Sequence, residues 1–312
     1  MINILITGGA GFIGSSLADR LLLDEKYFVV IVDNLLTGEE RKVPGHPRCS
    51  FIKCDVNNYG EISEVMMGRH FDYVFHFAAV VGVKRTIDNP VMVLRDLEGM
   101  RNIMDLSKDI GVKRIFFASS SEVYGEPVEL PQHEETTPLN SRLPYAVVKN
   151  VGESFCRSYH KEFGLNYTIF RFFNTYGPKQ SEDFVISKFI NEALANRPIT
   201  VYGKGDQTRT FCFIDDNTDC VVKILEEQCI VNDVINIGSE YNVTVLQLAQ
   251  MIIRLTGSHS SIEFLPPLKE GDMTRRQPDA SKMKAILKRD LISLESGIGR
   301  ILNSPFFIQR QA

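Results

Sequence analysis

The stretch Thr7-Gly8-Gly9-Ala10-Gly11-Phe12-Ile13-Gly14 constrains this chain more than any other. It closes the apolar run Ile2-Asn3-Ile4-Leu5-Ile6 and opens an amphipathic segment at Ser15. Glycines at Gly8, Gly11 and Gly14 suit a strand, a tight turn and a helix start. The first two let the backbone turn and approach a pyrophosphate, and the third lets helix and strand pack closely. The helix start supplies free N–H groups and the positive end of a dipole. About 19 residues after Gly14 the β-rich run Phe28-Val29-Val30-Ile31-Val32 ends in Asp33. There a dinucleotide fold places an acid on the adenosine ribose diol. A carboxylate at that point repels a 2′-phosphate, which favours NAD over NADP.

The 312 residues can bury one large core or two joined ones, and 44% hydrophobic with 24% charged residues is the balance of an ordinary globular protein. A formal net charge of −4 gives no electrostatic case for a nucleic acid or an acidic membrane as partner. No apolar run is long enough to span a bilayer, and the N-terminus runs straight into a strand, so a cytoplasmic location is expected. The cysteines Cys49, Cys54, Cys156, Cys212, Cys220 and Cys229 form no CxxC pair and no metal-ligand spacing with His, and they read as reduced and structural.

Up to about residue 171 short β-branched runs alternate with helical patterns, the signature of a parallel sheet covered on both faces. Strands are predicted at 2–6, 28–32, 51–54, 73–77, 114–118 and 167–170, and helices at 14–23, 61–67, 91–108 and 145–163. In 91–108 the residues Val91, Leu94, Leu97, Ile103 and Met104 form an apolar stripe, which suits the core or, with 145–163, the face of a homodimer. After Phe173 the regularity breaks into turns, a helix at 185–195 and a short strand at 199–202. Residues 210–214 and 234–237 read as strands returning to the main sheet around a helix at 216–228. Further helices are expected at 245–255, 281–287 and 294–302. The fold class is therefore α/β, a Rossmann-type doubly wound parallel sheet with a smaller C-terminal substrate-binding lobe. The first domain is assigned to 1–174 with 208–238 returning to it, and the lobe to 175–207 and 239–312.

Ser119-Ser120-Ser121-Glu122 follows Phe116-Phe117-Ala118 at the C-terminal end of a predicted parallel strand, where ligands sit in open α/β sheets. Tyr145 and Lys149 are four apart, a spacing that puts both on one face of a helix. A nearby ammonium lowers a tyrosine pKa from its usual value of about 10, and a fall of about 3 units is worth about 4 kcal/mol. A tyrosinate can then take a proton from a sugar hydroxyl while the neighbouring carbon gives up hydride.

Taken together, Gly8 to Gly14, Asp33, Cys54-Asp55-Val56, His76-Phe77-Ala78-Ala79, Ser119 to Gly125, Tyr145 to Lys149, Phe172 to Pro178, Gln207 to Phe211 and Gly271 to Arg276 resemble the extended short-chain dehydrogenase/reductases. Within them, the chain resembles the NAD-dependent nucleotide-sugar epimerase/dehydratase family over nearly its whole length. The resemblance implies a catalytic base at Tyr145, with Lys149 lowering its pKa and binding the nicotinamide ribose, and Ser120 on the reacting sugar hydroxyl. It implies NAD held by Gly8, Gly11, Phe12, Ile13 and Gly14, by Asp33 and Asn34, by Asp55 and Val56 near adenine, and by Ala78 and Ala79 near the riboses. Ser121 would touch substrate, and Asn174, Arg209 and Arg275 would bind its pyrophosphate, a task that suits the planar arginine fork.

The family's shared first step is oxidation, usually at C4 of the hexose, giving a 4-keto sugar. The 4,6-dehydratases carry an Asp-Glu pair where this chain has Ser121-Glu122, which argues against loss of water. UDP-glucuronate decarboxylases share the Glu and an Arg-Arg-x-Pro-Asp stretch like Arg275 to Asp279. They also carry an Asn-Asp-Gly-Arg-Val-Val segment, where this chain has Gln180-Ser181-Glu182-Asp183-Phe184-Val185. A 4-epimerase needs the least added chemistry and is the expected activity. The alternatives are the decarboxylase and a C4-dehydrogenase that releases the keto sugar, for example a GDP-linked hexose or heptose used in surface polysaccharide; a non-catalytic NAD-binding sensor is disfavoured because Ser120, Tyr145 and Lys149 are all present. Glu122 has either a packing or a proton-transfer role.

Overall fold

In the computed structural model, which describes residues 1–266 and 276–311, six strands follow one another between residues 2 and 172. They are β1 (Ile2–Thr7), β2 (Tyr27–Asp33), β3 (Cys49–Lys53), β4 (Tyr73–His76), β5 (Arg114–Ser120) and β6 (Tyr167–Phe172). With the strand Asp233–Ile237 at one edge they form a seven-stranded sheet ordered Asp233–Ile237, β6, β5, β4, β1, β2, β3. β1 pairs in parallel with both β2 and β4, and β2–β3, β4–β5 and β5–β6 are parallel too. The strand order therefore reverses at β1 and β4. In such a sheet the crevice for ligands opens beyond the C-terminal strand ends at that reversal.

Burial on both faces explains the near-continuous apolar strands: Val29, Val30, Ile31 and Val32 are all buried. Phe75 and Phe116, paired in register, stack with centroids 4.3 Å apart, and Phe116 stacks on Phe170 at 5.9 Å. The helices of this part of the chain are α1 (Phe12–Leu22), α2 (Tyr59–Met67), α3 (Val83–Asp88), α4 (Pro90–Leu94), α5 (Asp96–Asp109) and α6 (Pro144–Phe163). α6 begins with Pro144 in its first turn and ends on Gly164 at φ 73°, a left-handed position that glycine adopts without strain. The helix expected over 91–108 is two helices, divided at Arg95, and its stripe divides with it. Ile103 and Met104 of α5 are buried, whereas Val91 and Leu94 of α4 are exposed.

The chain forms two compact units, the first comprising 1–125, 139–172 and 218–235, the second 126–138, 173–217 and 236–312. Of the two strands expected to return to the main sheet, 234–237 does so, whereas 210–214 gives way to two short strands that pair elsewhere. Thr208–Thr210 pairs antiparallel with Asn242–Thr244 and Cys212–Phe213 pairs with Thr175–Tyr176, so neither joins the seven-stranded sheet. Their apolar residues are satisfied within the second unit: Tyr176 packs edge-on to Phe213 at 5.2 Å and to Phe211 at 6.3 Å. Residues 126–138 also belong to this unit through a ladder in which Gln132 N–H donates to Gln277 O and Asp279 N–H donates to Gln132 O. Ile199–Tyr202 pairs with Ile262–Leu265, a strand the sequence pattern did not announce. All six cysteines are free thiols. Among the described residues no helix is long and apolar enough to cross a membrane, and no cluster of His, Cys, Asp and Glu could hold a metal ion.

Candidate active site

The residues singled out in the first unit lie at successive strand ends: Gly8 after β1, Asp33 at the end of β2, Asp55 and Val56 after β3, Ala78 and Ala79 after β4, and Ser120 at the end of β5. This is the edge where the order of strands reverses.

At the first of these, Gly8 has φ +66°, and a Cβ on it would sit 2.6 Å from the backbone nitrogen of Ala78. A Cβ on Gly14 would sit 2.7 Å from Gly8 O, which is why α1 can lie this close to the turn. Gly11 caps α1 without a side-chain hydrogen bond, so the first-turn N–H groups of Phe12, Ile13 and Gly14 remain available to an anion. The cradle fits a dinucleotide pyrophosphate: a turn stripped of side chains in front of an uncapped helix end. Gly8→Ala is expected to cost about 3 kcal/mol in fold stability through the left-handed backbone and the backbone clash, and to weaken NAD binding. Thermal melts and NAD titration would measure both, with Gly45→Ala as the control, since nothing lies within 4 Å of a Cβ there. Equal melting and equal affinity in the two variants would refute the cradle.

Thr7 and His76, paired in the β1–β4 register, support this turn from below. Thr7 Oγ1 accepts the Ala78 N–H at 3.2 Å and lies 2.8 Å from His76 Nδ1, to which its hydroxyl can donate. Burial pushes the His76 imidazole down to about 3, with the Lys149 charge acting in the same direction. The folded state therefore keeps this ring neutral while the unfolded chain protonates it. The resulting stability is present above about 6.5 and is lost as pH falls towards 3, a swing of roughly 5 kcal/mol at most. His76→Asn is expected to flatten the acid limb of stability in pH-dependent urea melts; an unchanged limb would show that His76 does not cause it.

Asp33 accepts N–H groups from Leu35 at 2.8 Å and Ala10 at 3.0 Å, and a Cβ on Gly38 would meet its carboxylate at 2.7 Å. Burial raises the carboxyl above its usual range, against those two N–H groups and Lys42. Asp33 thus braces the glycine turn and the loop that begins at Asn34, and its oxygens keep lone pairs for a ribose diol. Asn34 itself accepts the Leu36 N–H at 2.9 Å. Beyond β3, Asp55 accepts the Asn57 N–H at 2.9 Å, and Asn102 on α5 donates to Val56 O at 2.9 Å. Gly99 lets α5 approach, since a Cβ there would meet Asn57 Oδ1 at 2.6 Å. Val56 is consequently buried and held rigidly beside Asp55.

α6 brings the next group. Its face turned to β5 carries Tyr145, Lys149, Gly152 and Glu153, and Gly152 is required because a Cβ would meet the Phe117 ring at 2.3 Å. Lys149 Nζ lies 5.1 Å from the Phe117 centroid and 5.7 Å from that of Tyr145. Burial pushes the Lys149 ammonium down to about 8, and the Asp96 carboxylate holds it up. Asp96 in turn accepts the Val80 N–H at 2.8 Å, just past Ala78 and Ala79. The half-buried Tyr145 ring packs on Val80, Val93 and Val148. Ser120 Oγ accepts the Glu122 N–H at 3.2 Å within the turn Ser121–Tyr124, where Ser121 is buried and Glu122 half-buried.

In the second unit Asn174 Nδ2 donates to Thr210 O at 2.9 Å, which sets Asn174 beside the strand that carries Arg209. Arg209 Nη1 donates to Thr208 O at 2.8 Å. Arg275 lies outside the described residues. Sequence reasoning missed Thr7, Asp96, Asn102 and Glu153. Only Glu153 carried a signal, as the third member of the four-residue spacing begun by Tyr145 and Lys149.

A glycine cradle before a free helix end, an acid closing the second strand and a Tyr–Lys pair on one helix face define a dinucleotide-binding α/β enzyme. The chain belongs to the NAD dependent epimerase/dehydratase family, whose model matches residues 4–238. It is 35% identical over 313 residues to UDP-glucuronic acid decarboxylase 1 of Danio rerio, covering 96% of this chain and 72% of that one. It is 34% identical over 306 residues to a putative UDP-glucose 4-epimerase of Methanocaldococcus jannaschii, covering 96% and 97%. A solved structure of Thermotoga maritima UDP-glucose 4-epimerase with UDP-glucose matches with TM-score 0.92 at 29% identity, covering 99% of both chains. That of Bacillus cereus UDP-glucuronic acid 4-epimerase with UDP-glucuronic acid and NAD matches with TM-score 0.89 at 30% identity, covering 100% of both. The protein is accordingly an NAD-dependent enzyme of this family.

Proposed function

We propose that the protein is a nucleotide-sugar 4-epimerase. The observation that carries this reading is a complete Ser120, Tyr145 and Lys149 set joined to a turn, Ser121–Tyr124, whose one acid is Glu122. Bound NAD supplies the acceptor for the C4 hydride. Ser120 hydrogen-bonds the C4 hydroxyl, Tyr145 takes its proton, and the Lys149 charge stabilises the phenolate. The 4-keto sugar then presents its other face, C4 regains hydride there, and Tyr145 returns the proton, so the product has the mass of the substrate. Asn174, Arg209 and Arg275 hold the substrate's pyrophosphate, with the second unit as the substrate lobe and Ser121 beside the sugar. Exposed Val91, Leu94 and Val147 on α4 and α6, at 68%, 47% and 41%, support a homodimer through that face.

The second reading, a UDP-glucuronate decarboxylase, is favoured by the Danio rerio relative, by Glu122 and by Arg276-Gln277-Pro278-Asp279. Incubation with UDP, GDP and dTDP sugars, followed by mass spectrometry and NADH absorbance, separates the readings. Unchanged mass with a new retention time is the result expected of an epimerase. Loss of CO2 would establish the decarboxylase. Loss of two hydrogens with NADH left on the protein would establish a C4-dehydrogenase that needs an outside oxidant.

A further inference from the structure

Beneath the C-terminal end of β5 four buried side chains form one hydrogen-bonded group. Glu153 is wholly buried and Arg171 is 2% exposed, with Tyr124 and Ser119 equally enclosed. Arg171 grips the carboxylate with two bonds, Nε to Oε1 at 2.9 Å and Nη2 to Oε2 at 2.8 Å. Its Nη1 donates to the Tyr124 hydroxyl at 2.9 Å, and Ser119 Oγ donates to Glu153 Oε1 at 2.8 Å. Arg157 reaches in from the surface to Oε2 at 3.0 Å. Burial alone would raise the Glu153 carboxyl, yet Arg171 and these donors hold it below the usual range, so the pair is charged at neutral pH.

A buried ion pair is a poor source of stability, because apolar residues of similar volume often serve as well or better. What a bidentate pair supplies is direction. Ser119, Tyr124 and Glu153 are each joined by a short stretch of backbone to a residue assigned to the chemistry. Ser119 precedes Ser120, and Tyr124 ends the turn that holds Ser121 and Glu122. Glu153 continues the Tyr145 and Lys149 spacing on α6, about 12 Å along the axis from Tyr145. Arg171, near the end of β6, joins Glu153 to Tyr124, and Glu153 in turn holds Ser119.

We propose that the Glu153, Arg171, Tyr124 and Ser119 group is a positioning device, which sets the turn bearing Ser120 and Glu122 in register with the helix face bearing Tyr145 and Lys149. The proposal rests on the catalytic assignment above. These residues touch no reacting atom; they act through the groups that do. Misplacement of a reacting group by about 1 Å can cost on the order of a hundredfold in rate.

The test compares Tyr124→Phe, Glu153→Gln and the double variant Glu153→Gln/Arg171→Met with wild type. Turnover, KM, NAD affinity and melting temperature are measured on a nucleotide sugar that wild type converts. Tyr124→Phe keeps the packing and removes the hydroxyl that Arg171 engages. It is expected to lower kcat about tenfold, with KM and NAD affinity within about twofold of wild type. Glu153→Gln strands a buried guanidinium and is expected to lower both stability and kcat. The double variant removes the charge altogether and is expected to regain stability without regaining kcat. Recovery of kcat along with stability, or an unchanged kcat in Tyr124→Phe, would reduce the group to a structural one and overturn the proposal. Wild type that converts no nucleotide sugar, or Tyr145→Phe that stays fully active, would instead bring down the catalytic assignment on which the proposal stands.

Discussion

Tyr145→Phe is expected to lower turnover by about three orders of magnitude while leaving the fold and NAD binding intact. A positioned acid–base group contributes roughly a hundredfold to ten-thousandfold, and no other phenol is set four residues before Lys149 on that face of α6 to replace it. The ring's own task is packing against Val80, Val93 and Val148, which phenylalanine performs equally well. Loss of turnover with unchanged melting temperature and NAD titration would therefore isolate the hydroxyl. Turnover close to wild type would show that another group moves the proton.

The second large effect has two opposite signs. Lys149→Met is expected to abolish most turnover and at the same time to stabilise the cofactor-free fold near neutral pH. Burial holds the Lys149 pKa at about 8 against an ordinary 10.5. Between those values the unfolded chain binds the proton and the folded chain does not, so the stability attached to this group rises with pH across that window. Below about 8 the folded state carries a buried charge at a net cost of roughly 3 kcal/mol, the attraction of Asp96 included. Methionine fills the space without the charge. Urea melts at neutral pH should show the variant more stable, and the advantage should disappear above pH 10.5. A variant less stable at neutral pH would overturn the net cost assigned to burying this charge. Stability would here be sacrificed to keep an ammonium next to the phenol, a trade common at active sites.

Much of the site was legible because its parts are local. The cradle at Gly8 to Gly14 is a run of contiguous residues, and Gly8, Gly11 and Gly14 each answer a clash measurable in the fold, with backbone nitrogen or carbonyl oxygen as the nearest atom. Asp33, Asp55, Ala78 and Ser120 follow runs of β-branched and aromatic residues, so a reading that found the strands found their ends. Tyr145 and Lys149 share a face by helical period alone. The second unit was less legible. Its strands are two to four residues long and pair with partners whose approach no local pattern announces, which is why 210–214 was expected as one strand of the main sheet and is instead parts of Thr208–Thr210 and Cys212–Phe213.

Backbone turns, helix starts and strand runs are dictated by residues in immediate succession, and from these the sequence alone determined the sheet, the glycine turn before α1 and the shared helix face of Tyr145 and Lys149. Charge pairing is dictated by what the strand order brings together. Asp96 at the start of α5 meets the charge of Lys149 on α6, and Arg171 on β6 meets Glu153 on α6 and Tyr124 beyond β5. A carboxylate in a helix reads as a solvated face until packing removes the water around it. Only the tertiary structure decided that Glu153 is buried and ionised and that Lys149 is held near the edge of losing its proton, because desolvation and pairing arise only once distant segments have come into contact.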